Sequence, residues 1–115
     1  MKYTIKRATT PPRLDADWNA VPWRDAEALE VANFSPKSSD HRPRTRAKLL
    51  YDDDGVSVKF VVDDRYVRAA NIGFQAAVCN DSCVEWFAQP DVGLTKGAYL
   101  NFEMNCGGSL LLFYI

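Results

Sequence analysis

The sequence is short of the residues that build metal centres and covalent frameworks. Only three of its 115 residues are cysteine (Cys79, Cys83 and Cys106), and His41 is the one histidine. The cysteines form an odd set without a CxxC pair, and His41 is far from them in the chain. The closely spaced ligands of a tetrahedral zinc site are therefore missing. Free thiols are the expected state; a disulfide from Cys106 to either of the others would need an oxidising compartment, which the sequence does not specify. Long apolar runs are absent too. The longest, Leu110–Ile115, falls far short of the ~20 residues that cross a bilayer as a helix, and it reads as a strand. Met1–Ala8 lacks the apolar core of roughly 7 to 15 residues found in a secretory leader, so the chain as written is expected in the cytoplasm. With 14 basic and 15 acidic residues, no broad field favours nucleic acid or an anionic membrane as a partner.

What remains is an ordinary globular composition, 47% hydrophobic and 25% charged, with no repeat or low-complexity tract. A chain of this length buries around 65% of its unfolded surface, enough for one core with little to spare. One domain over residues 1–115 is expected. Prolines and charges gather in Thr9–Arg13 and Ser35–Arg46, both expected to be loops.

Period-2 alternation is the main structural signal. Ala47–Tyr51 is a short apolar-rich run. After Asp52-Asp53-Asp54-Gly55 come Val56, Val58 and Phe60, alternating with Ser57 and Lys59, so a hairpin is expected with Asp54-Gly55 in its tight turn. A second group follows: Cys83–Ala88, a break at Gln89-Pro90-Asp91 and Gly93, an extended Ala98–Asn105, a turn at Gly107-Gly108, then Ser109–Ile115. These read as three consecutive antiparallel strands. Asp63–Ala70 between the groups is expected to be mostly coil. Leu14–Trp23 reads as a leading segment whose two tryptophans, Trp18 and Trp23, cover an edge of the core. No long amphipathic helix is encoded. Short strands separated by turn signals favour a mainly β fold, an antiparallel β-sandwich of immunoglobulin or jelly-roll type.

The order of these pieces resembles the family 9 carbohydrate-binding modules and their stand-alone relatives. The matching pieces are Leu14–Trp23, the Ala-Lys-Leu-Leu-Tyr-Asp strand Ala47–Asp52, the Asp54-Gly55 hairpin and the Val-x-Asp ending Val61–Asp63. The most specific are Asp81-Ser82-Cys83-Val84-Glu85-Trp86-Phe87 and Tyr99-Leu100-Asn101-Phe102-Glu103-Met104-Asn105. The resemblance covers nearly the whole chain and implies a sandwich cut short after Ile115. It also implies non-catalytic binding of a mono- or oligosaccharide, often in support of polysaccharide degradation. In the family, aromatic faces pack on sugar rings while polar side chains from two neighbouring strands bind hydroxyls. Glu85 matches the sugar-contacting glutamate, and Asn101 keeps an amide where the family has one. Glu103 puts a carboxylate where the family has an arginine, and Cys83 is an insertion. Ala77-Val78-Cys79-Asn80 replaces the segment that carries the first sugar-sandwiching tryptophan.

The residues themselves give a compatible reading. Alternation places Glu85 and Phe87 on one face of their strand, with Val84 and Trp86 on the other, so Trp86 is expected in the core. Asn101, Glu103 and Asn105 share a face that would lie beside Glu85. The expected ligand set is Glu85, Asn101, Glu103 and Asn105, with a solvated, ligand-free sheet face as the alternative. Two further functions stay open: a structural or protein-interaction sandwich that has lost sugar binding, and a glycoside hydrolase using Glu85 and Glu103, whose carboxylates would have to stand about 5 to 10 Å apart. No cofactor is expected. Asp52, Asp53, Asp54, Asp63 and Asp64 form an oxygen-rich cluster that reads as solvated turn carboxylates, with calcium the weaker reading. Leu110–Ile115 has no polar terminator, so self-association through this strand is expected.

Overall fold

The computed structural model describes residues 1–91 and 97–115. The turn expected at Gly93 lies outside the described residues. The chain forms two compact units, Met1–Asp64 and Arg65–Ile115. Both are built on β-strands, and the described residues contain no α-helix. The mainly β class with antiparallel-rich sheets, expected from the alternation, is what is found.

In the first unit, β1 (Lys6–Arg7), β2 (Leu29–Glu30), β3 (Arg44–Asp52) and β4 (Gly55–Asp63) make one sheet. β3 and β4 form the expected antiparallel hairpin, whereas β1 runs parallel to the end of β3. The two-residue strands β1 and β2 carry no alternation that a sequence reading could use. The loop expected through Arg46 ends earlier, because Arg44, Thr45 and Arg46 already pair with Asp63, Val62 and Val61. The hairpin also differs in detail: Asp52 pairs with Gly55, so the loop is Asp53-Asp54, and Gly55 opens the strand at φ +146°. Glycine suits that backbone because it has no Cβ to clash.

One face of this hairpin carries Lys48, Leu50 and Lys59, and the leading segment packs on it. Trp23 is fully buried against Ala26 and Leu50. It thus lies over a sheet face, where covering of an edge was expected. The lysines are held by backbone carbonyls. Lys48 Nζ donates to Trp18 O at 3.1 Å and Trp23 O at 3.0 Å, 4.5 Å above the Trp18 ring. Lys59 Nζ donates to Leu14 O at 3.0 Å and also to Ala16 O. The buried Lys48 ammonium persists because it finds acceptors, although burial, aided by the charge of Arg46, pushes it below the ordinary lysine pKa.

The second unit is an antiparallel sheet in the order β5 (Cys83–Ala88), β6 (Leu100–Asn105) and β7 (Leu110–Tyr114). The segment after Asp64 is irregular, as expected, and is tied to the sheet through polar groups. Asp81, whose side chain is fully buried, accepts from Asn71 N (2.8 Å), Asn71 Nδ2 (3.2 Å), Asn105 Nδ2 (3.0 Å) and Arg68 Nε (3.2 Å). The donors, led by the Asn71 backbone, hold its carboxyl well below the usual carboxylate range. Ser82 Oγ accepts from Arg68 N at 2.9 Å, and Ser82 N donates to Arg68 O at 2.9 Å.

The outer edge of β7 is not bare. Gln75, in the left-handed region at φ +65°, donates from Nε2 to Leu112 O (3.0 Å) and accepts from Leu112 N (2.7 Å), while its own N–H donates to Leu110 O (2.8 Å). A side-chain amide can pair with a strand as a backbone peptide does, because it presents the same donor and acceptor. Part of that edge is therefore covered by a residue distant in sequence.

Candidate functional site

The register of β5 against β6 brings the expected polar residues together. Cys83 stands opposite Asn105, Glu85 opposite Glu103, and Phe87 opposite Asn101. On the far side of β6, Glu103 faces Leu111 and Asn101 faces Phe113. Alternation sends the other side chains to the opposite face, where Trp86 and Phe102 stack at 5.4 Å between centroids.

The polar row on β6 is not a solvated surface. Asn101 is 4% exposed, Glu103 7% and Asn105 4%. Asn101 Nδ2 donates to Glu103 Oε1 at 2.8 Å, which leaves Asn101 Oδ1 and Glu103 Oε2 buried without a donor among the described residues. Buried acceptors of this kind are unusual in native proteins and carry a desolvation cost until something donates to them. Glu85, opposite Glu103 on β5, is by contrast exposed. Partial burial, reinforced by the charge of Glu103 opposite, raises the Glu85 pKa. Burial of Cys83, with the charges of Glu103 and Glu85, likewise raises the pKa of its thiol.

Asn105 differs from its neighbours. Its Nδ2 donates to Asn71 O (2.7 Å) and Asp81 Oδ2 (3.0 Å), and its Oδ1 accepts from Gly107 N (3.1 Å) and Ser109 N (3.0 Å). Every hydrogen-bonding direction of that amide is spent on the scaffold. Asp81 and Ser82, which open the most specific sequence motif, are likewise used to hold the crossing segment.

Phe87 is the residue that the ligand set drawn from sequence left out. It is 55% exposed on the Glu85 face and forms a tilted pair with Tyr99 at 5.8 Å. Its place in the alternation is the signal that points to it. The other clusters disperse. The cysteines are all free. Asp52 accepts from Asp54 N at 2.9 Å, Asp53 pairs with Arg7 at 2.6 Å, Asp63 with Arg46 at 3.4 Å, and Asp64 with His41 at 2.9 Å. Among the described residues no three His, Cys, Asp or Glu side chains converge as a metal site.

A family model described as "Carbohydrate-binding family 9" matches residues 16–114. The chain belongs to this family. The crystal structure of a proposed carbohydrate-binding protein from Bacteroides uniformis superposes on it with a TM-score of 0.79 at 25% sequence identity, over 98% of this chain. The chain spans 51% of the length of that protein. No curated protein matches it. The family is the one that the collinear motifs indicated.

Proposed function

We propose that this family 9 chain is a non-catalytic saccharide-binding module whose ligand lies against Glu85, Asn101, Glu103 and Phe87, in support of polysaccharide degradation. The observation that carries the reading is the pair of buried acceptors without donors, Asn101 Oδ1 and Glu103 Oε2, beside the open carboxylate of Glu85. Sugar hydroxyls are donors, and a bound one offsets the cost that these acceptors otherwise impose. Phe87 and Tyr99 supply an aromatic surface for the C–H face of a pyranose, taking over from the tryptophan that this chain lacks before Asp81. Asn105 is kept out of the contact set because its amide is fully engaged.

Titration of a panel of mono- and oligosaccharides, followed by backbone and side-chain NMR, tests the reading. Shifts confined to Glu85, Phe87 and Asn101 are expected, with binding weakened in Glu85→Gln and lost in Phe87→Ala. Silence across the panel leaves the interaction-domain alternative in its place. Glu85 and Glu103 occupy opposed positions on neighbouring strands, so turnover of aryl glycosides is the measurement that would replace a module by an enzyme.

A further inference from the structure

The charges on this face restrict which sugar it takes. β5, β6 and β7 carry two carboxylates, Glu85 and Glu103, and no lysine, arginine or histidine. The nearest donor on the row, Asn101 Nδ2, is already committed to Glu103 Oε1 at 2.8 Å. Of the cations in the segment leading into β5, Arg68 is paired with the buried Asp81 at 3.2 Å, and Arg65 lies 4.9 Å over the Tyr66 ring. Among the described residues the face therefore offers acceptors and negative charge. A hydroxyl satisfies one acceptor and leaves that charge uncompensated. An ammonium group supplies three donors and an opposite charge together. A uronate would bring a further carboxylate to a pair that already repels itself.

Resting on the sugar-binding reading above, we propose that the Glu85–Glu103 face selects a cationic sugar, a hexosamine with a free protonated amino group, over neutral and acidic sugars. Phe87 and Tyr99 would pack against the ring while the ammonium faces the carboxylate pair.

Calorimetric titration of the full chain at neutral pH with glucosamine, glucose, N-acetylglucosamine and glucuronate tests this. Glucosamine should bind at least about tenfold more tightly than glucose, as charge-assisted bonds require. N-acetylation should remove the advantage, and glucuronate should bind most weakly. High salt should narrow the difference. Glu103→Gln should shrink the glucosamine preference, and Glu85→Gln, at an exposed position, provides the same readout if the buried variant fails to fold. Equal affinity for glucosamine and glucose, or preference for glucuronate, overturns the selectivity while sugar binding stands. Binding of none of these sugars overturns both.

Discussion

Glu85 stands directly opposite Glu103 on neighbouring antiparallel strands, with no cation on either strand to separate their charges. Like charges placed so are destabilising by roughly 0.2–1 kcal/mol. Glu85→Gln should therefore raise stability at neutral pH by about that much while weakening sugar binding. The sign of the pH dependence follows from the raised Glu85 pKa. The folded state holds the proton more readily, so this site's contribution is fully favourable below the ordinary glutamate value and is lost as pH rises through the folded one. Urea unfolding of both forms should show a gap at neutral pH that closes in acid. A gap that persists in acid would mean the carboxylates do not repel.

Asp81 gives the opposite slope. Its pKa is depressed by the donors of Asn71, Asn105 and the neighbouring backbone. Its stabilising contribution is fully present above the usual carboxylate value near 3.9 and lost as pH falls below it. Asp81→Asn should lower the unfolding midpoint at neutral pH and flatten the acid limb of the stability profile. Asn105→Ala should cost about 1–3 kcal/mol, the penalty of leaving buried partners unsatisfied. Unfolding midpoints across an acid pH series check both.

These two sites show what the sequence could and could not convey. Alternation alone put Glu85 with Phe87, and Asn101 with Glu103 and Asn105, on shared faces; strand pairing is local enough for that. The hairpin β3–β4 was equally legible, because Val56, Val58 and Phe60 alternate without interruption. Burial was not legible. Asn101, Glu103 and Asn105 look alike as a polar row, yet the first two have acceptors without donors while the third closes the turn at Gly107 and reaches Asp81 and Asn71. Which amide is free depends on contacts to residues more than twenty positions away, and no periodicity encodes those. The strands β1 and β2, at two residues each, are too short to show a period and exist because β3 offers them an edge.

Trp23 tests whether the leading tryptophans serve the core or a ligand. It is fully buried, its Nε1 donates to Arg13 O at 2.9 Å, and its carbonyl accepts from Lys48. Trp23→Ala should cost roughly 3–5 kcal/mol, and Trp23→Phe less, chiefly the lost indole bond and some volume. Trp18, only half-buried, should be the milder site. Thermal melts rank the variants; a Trp18→Ala loss equal to that of Trp23→Ala would contradict the packing described.

Gln75 tests what keeps β7 from pairing with another chain. Its side chain satisfies both backbone groups of Leu112, and its N–H satisfies Leu110 O. Exposed edges with unpaired N–H and C=O groups template strand addition, and β7 is apolar enough to be hazardous when uncovered. Gln75→Ala removes the side-chain pair and leaves Leu112 open, so self-association should rise. Gln75→Glu keeps an acceptor for Leu112 N but loses the donor to Leu112 O, and its charge disfavours a docking strand; it should associate less than the alanine variant. Light scattering over a concentration series distinguishes them. If Gln75→Ala matches the unmodified chain in its association, covering by Gln75 is not what governs this edge.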